Sequence, residues 1–135
     1  MIKSIAHVCF VVKDLDASIS FYRDKLGMKE AFDFINDEGE RFGVYLQAGG
    51  RTFIELFKGA PAAPSESQSY RHVCLEVDDI QRAVADLRAA GVELDDPVLG
   101  SDGSWQAWLA DPDGNRIELH QYTPDSKQAK AMGSL

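Results

Sequence analysis

The chain carries the same short pattern twice, and this duplication is the feature that most constrains its fold. The tripeptide His-Val-Cys occurs at His7–Cys9 and again at His72–Cys74, an offset of 65 residues. Towards the end of each half, YLQAGGRTFIEL (Tyr45–Leu56) matches WLADPDGNRIEL (Trp108–Leu119) at an offset of 63, and Ile-Glu-Leu is identical. A period of about half the chain indicates one module duplicated, because solenoid repeats recur every 20–50 residues or so and in larger numbers.

Both halves follow one order of predicted elements. Each begins with a strand rich in β-branched residues, continues with a helix that an Asp opens, and closes that helix at a glycine, Gly27 or Gly91. Three short strands follow the helix in each half. The predicted strands are Ile5–Val12, Lys29–Ile35, Gly43–Leu46 and Arg51–Phe57 in the first half, and Arg71–Val77, Glu93–Val98, Trp105–Ala110 and Asn115–Tyr122 in the second. The sequence therefore predicts an α+β fold of two βαβββ modules.

The 135 residues divide into four predicted segments. The first module spans 1–57 and the second spans 70–123. Between them, 58–69 is rich in Pro, Ala and Ser, as is typical of a linker. The remaining residues, 124–135, are predicted to be a polar C-terminal tail that is frayed. The modules together are expected to form one domain.

Composition excludes several classes of function. A formal net charge of −8 argues against nucleic acid or an anionic membrane as a partner. No apolar stretch approaches the roughly 20 residues that a spanning helix needs, and the N-terminus has no signal-peptide profile. The two cysteines, Cys9 and Cys74, lie in apolar runs and are expected to be free thiols, with a disulfide the less favoured alternative. These features predict a cytoplasmic protein.

Strand alternation places one His and one Glu of each half on a common side. His7 and His72 alternate with apolar residues of the first strands, and Glu55 and Glu118 do so in the last strands. The apolar residues are expected to pack against the helices. We therefore expect all four polar side chains to line the opposite, concave face of the sheets.

Two imidazoles and two carboxylates on a sheltered face predict a metal site. Carboxylates repel one another and resist desolvation, so they need a cation or a proton nearby. Imidazole with carboxylate suits a divalent metal such as Ni, Zn, Co, Mn or Fe. Four protein ligands in a six-coordinate shell would leave two positions for water or substrate oxygens. Taken singly, a strand His is more often structural and a strand Glu more often solvated; it is the repetition that favours ligands.

The sequence resembles the vicinal oxygen chelate superfamily and, within it, the glyoxalase I (lactoylglutathione lyase) group. The resemblance covers about Ile5 to Tyr122 and rests on IAHVCFVVKDLDASISFYRDKLGMK, FIEL, YRHVCLEVDDI and LADPDGNRIEL. It implies the glyoxalase/bleomycin resistance/dioxygenase fold, in which two βαβββ modules form a cupped mixed sheet around a metal. The family's ligand positions map onto four residues of this chain: His7, Glu55, His72 and Glu118. The resemblance also implies a homodimer with sites at the interface.

The activity that the resemblance implies is that of a metal-dependent lyase or isomerase. Such enzymes chelate two vicinal oxygens of a small substrate and stabilise an enediolate-type intermediate. Glyoxalase I acts on the hemithioacetal of methylglyoxal and glutathione, with a metal-bound glutamate as base, here Glu55 or Glu118. Two departures argue against glutathione. Val11 stands where glutathione-binding members tend to carry Arg, and ELFKG lacks the Asn that they tend to have shortly after the first-half Glu.

Candidate substrate-binding residues lie on the last strand of each half, beside the proposed ligands, and on the strand before it in the second half. On that strand Trp105 and Trp108 face opposite sides, so at most one of them lines the site. Phe53 and Phe57 alternate with Ile54 and Leu56 on the side of Glu55, although strand aromatics more often pack a core. In the second half the candidates are Trp108, Arg116 and His120. Arg116 would bind an anion, with an ordinary surface charge as its alternative. His120 is expected to be exposed at the edge of the site.

Other members of the superfamily are competing interpretations. Epimerases acting beside a thioester usually carry Gln at the position of Glu55. Ring-cleaving dioxygenases use two His and one carboxylate on iron and are usually longer. Fosfomycin-modifying thiol transferases also tend to use three protein ligands. Bleomycin-sequestering relatives form a different class, because they bind a small molecule without the metal ligands. All four ligand types are present here, which favours an enzyme.

Overall fold

The computed structural model describes residues 1–133 and contains the predicted βαβββ order twice. Its strands are β1 (His7–Val12), β2 (Lys29–Ile35), β3 (Arg41–Gln47), β4 (Phe53–Lys58), β5 (Val73–Glu76), β6 (Val98–Leu99), β7 (Trp105–Ala110) and β8 (Arg116–Gln121). Its helices are α1 (Leu15–Ser20), α2 (Ile80–Ala89) and α3 (Lys127–Met132), and α1 runs on into a π-helical segment, Phe21–Lys25. The chain divides into two compact units, Met1–Ala63 and Pro64–Leu135.

Each unit holds a four-stranded mixed sheet of the same topology. The first has the order β1-β4-β3-β2 and the second β5-β8-β7-β6. In each, the first and last strands of the module pair in parallel, and the remaining pairs are antiparallel. The predicted α+β fold of two βαβββ modules is confirmed. This topology makes β1, which begins at His7, a direct neighbour of the strand that carries Glu55. The predicted strand Arg71–Val77 is shortened to β5, which begins just after His72 and is a direct neighbour of the strand that carries Glu118.

The core of each unit lies between one sheet face and the module's helix. In the first unit the covered face presents Val12, Val44, Leu46, Ile54 and Leu56, each at most 1% exposed. In the second, Ile117 and Leu119 of β8 are covered on the side where α2 buries Ile80, Val84 and Leu87. The alternation of strand residues therefore sends the intervening residues, including the candidate ligands, to the other face.

The structure departs from the predicted elements within the second module and in the segment that follows it. The predicted strand Glu93–Val98 is reduced to the two residues of β6. Pro97 has no N–H for a ladder and the two aspartates before it are poor strand formers, which accounts for the shortening. The expectation of a frayed tail is wrong for the described part of 124–135. Ser126 caps α3 by accepting from the backbone N–H of Ala129 at 3.1 Å, and both residues are buried. The last two residues of that tail lie outside the described residues.

The helix of the first module is also less regular than predicted. The backbone N–H of Leu26 donates to the carbonyl of Phe21 at 3.1 Å, the i to i−5 bond of a π-helix.

None of the helices described in residues 1–133 has the length and apolar character that a membrane-spanning segment needs.

Helix α2 begins at an aspartate cap whose loss has a measurable cost. Oδ1 of Asp79 accepts from the backbone N–H of Arg82 at 3.0 Å. We expect Asp79→Ala to lower the free energy of unfolding by about 1 kcal/mol, because that donor loses its partner. Urea denaturation checks the value. Asp86→Ala, which removes an exposed mid-helix charge near Arg82, is the control, and an equal loss in both variants would contradict the capping role.

Candidate metal centre

In the first module, His7 and Glu55 lie on neighbouring parallel strands and meet on the face away from the helix. Glu55 of β4 is in register with Cys9 of β1. Nε2 of His7 lies 3.4 Å from Oε2 of Glu55. The carboxylate side chain is only 13% exposed and the imidazole 42%. This pair brings a nitrogen and an oxygen that could each serve as a metal ligand within 3.4 Å of each other.

Tyr45 holds the ring of His7. Its strand, β3, pairs with β4 so that Tyr45 is directly opposite Glu55. The Tyr45 hydroxyl lies 3.2 Å from Nδ1 of His7, and the two rings meet edge to face at 5.5 Å between centroids. In the tautomer in which Nδ1–H donates to the Tyr45 hydroxyl, Nε2 has its lone pair available to a cation, which is the usual arrangement of a ligating histidine. Tyr45 was not among the predicted site residues.

The second module repeats the His–Glu pair. Nε2 of His72 lies 3.1 Å from Oε2 of Glu118, whose side chain is 9% exposed. Trp108 is directly opposite Glu118 in the β7–β8 pairing and meets the ring of His72 edge on, at 4.8 Å between centroids. Arg116 places its guanidinium carbon 4.5 Å from the centre of the Trp108 ring. The repeat aligns Tyr45 with Trp108, which was a predicted site residue. The alignment was therefore a sequence signal that Tyr45 contacts His7 as Trp108 contacts His72.

His120 is buried, so the expectation that it is exposed at the edge is wrong. It is 5% exposed, and its Nδ1 lies 2.7 Å from Oε1 of Glu118. Glu118 therefore has a different histidine at each oxygen. The C-terminal segment accounts for the burial, since Asp102, anchored by a side chain of α3, faces the ring. Alternation along β8 predicted which face of the sheet His120 lies on, but not that Asp102 and α3 would cover it.

The aromatic candidates of the first module belong to a continuous patch around Glu55, which we call the aromatic face. Phe53 and Phe57 are half-buried and flank Glu55 on β4. Ring centroids 4.6–5.9 Å apart link them to further rings through the pairs Phe32–Tyr45, Phe34–Tyr45, Phe34–Phe57, Phe42–Phe57 and Tyr45–Phe53. Phe32 is still 50% exposed and Phe42 40%. Apolar rings left open beside a polar pair suit an apolar ligand group.

Both cysteines are free thiols and lie beside the glutamates, in register with them. Desolvation and the nearby Glu118 carboxylate raise the pKa of Cys74 to about 12, and desolvation and Glu55 raise that of Cys9. A donor atom from each of Cys74, Glu118 and His120 lies within 4.8 Å of the others. This group shares Glu118 with His72, so the two sets are alternatives for one cation.

The raised pKa makes Cys74 a slow nucleophile in the metal-free protein. In Cys9→Ser protein at pH 8, we expect iodoacetamide to alkylate Cys74 on the order of a thousandfold more slowly than a cysteine of ordinary pKa near 8.5, because so little thiolate is present. The rate should continue to rise above pH 9, where that of an ordinary cysteine levels off. Mass spectrometry of timed samples measures both. Glu118→Gln removes a negative charge and should speed the reaction; a rate that matches free cysteine would contradict the assignment.

Comparisons with known proteins match this architecture. A sequence model described as the Glyoxalase/Bleomycin resistance protein/Dioxygenase superfamily matches residues 4–119. Lactoylglutathione lyase of Haemophilus influenzae is 33% identical over 122 residues, covering 85% of this chain and 90% of that protein. Metallothiol transferase FosB of Staphylococcus epidermidis is 33% identical over 126 residues, covering 90% of this chain and 84% of that protein.

A solved structure shows the same fold. The crystal structure of TnmS3, an antibiotic binding protein from a Streptomyces species, superposes with a TM-score of 0.74 at 28% identity, covering 90% of this chain and 98% of that one. Enzymes and a binding protein are thus all similar to this chain. With the family match spanning both modules, the chain belongs to the glyoxalase/bleomycin resistance protein/dioxygenase superfamily.

Proposed function

We propose that the protein is a divalent-metal-dependent lyase or isomerase of the glyoxalase I type, with His7, Glu55, His72 and Glu118 as its metal ligands. The observation that carries the proposal is the repeated pairing of Nε2 of a histidine with a carboxylate oxygen, at 3.4 Å in one module and 3.1 Å in the other. Two His–Glu pairs at equivalent positions of a duplicated sequence are less expected by chance than a single His or Glu.

The donor set fits a divalent first-row metal. Neutral imidazole and carboxylate are the ligands that Ni, Zn, Co, Mn and Fe share. In both modules the carboxylate is largely buried, which is costly unless a positive charge or hydrogen bonds compensate it. In each module an aromatic side chain contacts the histidine ring and orients it. A bound cation would polarise two vicinal substrate oxygens and stabilise the negative charge left when a neighbouring C–H proton is removed.

The side chains of the chain itself would bind the substrate and move its proton. Glu55 and Glu118 are the proposed bases, because a carboxylate can accept a proton removed from a carbon of the substrate and return it. Phe53 and Phe57 would contact apolar parts of the substrate. Trp108 and Arg116 would also contact the substrate, with the guanidinium available to an anionic group. His120, which is buried, would act through Glu118.

The residues argue against glutathione as the thiol part of the substrate. Val11, on the face of Glu55, is 45% exposed and offers no charge to a carboxylate. The aromatic face beside it is apolar. We therefore propose a small oxygen-chelating substrate with an apolar substituent where glutathione carries charged groups.

A binding protein is the second candidate, and the aromatic face favours it. The similarity to TnmS3, described as an antibiotic binding protein, shows that this fold also serves proteins of that class. Such a protein would bind an aromatic ligand with the same affinity before and after metal removal. An enzyme of the proposed type would depend on the cation for turnover.

The experiment is to load the protein separately with nickel, cobalt and zinc, to determine bound metal, and to assay the methylglyoxal–glutathione hemithioacetal on the same samples. Bound metal with turnover supports a glyoxalase I that tolerates Val11. Bound metal without turnover keeps the metal site and directs the search to other chelating substrates. The absence of bound metal would overturn the proposal in favour of the binding protein. Sedimentation of the same samples tests the proposed homodimer.

A further inference from the structure

A buried histidine connects the candidate ligand Glu118 to the C-terminal helix. Nδ1 of His120 lies 2.7 Å from Oε1 of Glu118. In the tautomer that carries its proton on Nδ1, the imidazole donates to this carboxylate oxygen. The other oxygen, Oε2, is 3.1 Å from Nε2 of His72. The two oxygens of Glu118 are therefore distinguished: one is held by His120, and the other lies beside the candidate metal ligand.

The far side of the His120 ring faces Asp102. Nε2 of His120 is buried without a hydrogen-bond partner among residues 1–133, and Oδ2 of Asp102 lies 3.7 Å away. The carboxylate of Asp102 accepts from Nε2 of Gln128 at 2.6 Å and from the backbone N–H of Ser104 at 3.0 Å. These bonds lower the pKa of Asp102, with the bond from Gln128 the larger cause. Asp102 is thus a fixed, charged group against which the imidazole rests.

Helix α3 holds Asp102 in place. Besides the side-chain bond from Gln128, the backbone N–H of Lys127 donates to the carbonyl of Asp102 at 2.8 Å. The hydroxyl of Ser104 donates to Oε1 of Gln128 at 3.2 Å. Contacts therefore run without a break from α3 through Asp102 and His120 to Glu118.

The first module has no equivalent arrangement at this position. The repeat offset of 63 residues places Phe57 where the second module has His120. A phenyl ring cannot donate to Glu55, and Phe57 instead packs against Phe34 and Phe42. A histidine two residues after the Glu therefore occurs in the second module and not in the first, so it does not follow from the duplication.

We propose that His120 is a positioning residue, which Asp102 and α3 hold so that Glu118 keeps Oε1 bound and presents Oε2 to the cation. This rests on the metal site proposed above. Fixing one oxygen restricts the carboxylate to a single orientation and reduces the ordering that metal binding must impose. Removing such a partner of a metal ligand typically weakens metal affinity roughly 10- to 100-fold.

The test compares His120→Phe, which keeps a ring without a donor, with His120→Asn, whose amide nitrogen takes the place of Nδ1. Cobalt dissociation constants and the d–d absorption spectrum are measured on the full chain, with thermal unfolding of the metal-free protein as a check on folding. We expect His120→Phe to weaken cobalt binding roughly 10- to 100-fold and to alter the spectrum. His120→Asn should restore most of both. Gln128→Leu should also weaken cobalt binding, but by less than His120→Phe. Tyr122→Phe keeps the ring beside His120 and should leave cobalt affinity and the spectrum unchanged.

A crystal structure of metal-free His120→Phe separates this proposal from the metal site itself. A displaced or doubly placed Glu118 carboxylate supports positioning, even if the wild-type protein binds no cobalt and the proposed function fails. An unmoved Glu118 overturns it. If His120→Phe does not fold, His120→Gln replaces it, because its amide reaches the position of Nε2; equal affinities in the Asn and Gln variants overturn the proposal. So does a thiolate-to-cobalt charge-transfer band that is lost in Cys74→Ser, since the cation would then lie in the Cys74, Glu118 and His120 group.

Discussion

Replacing His72 with alanine, or Glu55 with glutamine, is expected to lower the affinity for cobalt at least about 100-fold and to abolish metal-dependent turnover. Outer partners of metal ligands already cost roughly 10- to 100-fold when removed, and a ligand should cost more. His72→Ala deletes a nitrogen donor, and its loss leaves the largely buried Glu118 without its 3.1 Å partner. Glu55→Gln keeps the shape but removes the charge. Equilibrium dialysis with metal analysis measures the effect.

Two matched variants separate ligation from a general disturbance of the fold. Arg71→Ala changes the residue next to His72. The side chain of Arg71 donates to the carbonyl of Glu66. Gln47→Ala changes a residue on the same sheet as Glu55, where its side chain bonds the carbonyl of Gly50. Both should keep wild-type metal affinity. Wild-type stoichiometry and activity in His72→Ala and Glu55→Gln together would remove the metal assignment.

The second large effect is on stability. Leu56→Ala is expected to lower the free energy of unfolding by about 2–5 kcal/mol, because the side chain is fully buried and its loss leaves a cavity. Leu56 lies on β4 next to Glu55 but on the opposite, helix-covered face. A loss of this size is a large part of the 5–15 kcal/mol or so that stabilises a typical domain. Urea denaturation followed by circular dichroism gives the value.

The control for this prediction is Ile35→Ala. Ile35 ends β2 and is 53% exposed, so its truncation should change stability by about 0.5 kcal/mol or less. Equal losses in the two variants would mean that the covered face of the first sheet is not the core that the structure shows.

Much of the fold was predictable because two sequence signals were read together. Strand alternation assigned His7, Glu55, His72 and Glu118 to the face away from the helices, and the duplication limited the topology to one module used twice. In the structure each His–Glu pair lies within 3.4 Å inside its own module. Whether the four act as ligands of one cation stays a prediction, for which the measurements above are the test.

What the sequence alone determined is whatever depends on periodicity: the two βαβββ modules and the face of each strand residue. The parallel pairing that makes the strand of His7 a neighbour of the strand of Glu55 was decided by the tertiary structure. What only the tertiary structure decided depends on contacts between residues far apart in the chain. Tyr45 of β3 reaches His7 of β1 across the one intervening strand, β4. Asp102 and α3 cover His120, which alternation alone left at an exposed edge. The physical reason is that alternation reports which side a residue faces, whereas burial and hydrogen bonding depend on what else the folded chain brings to that side.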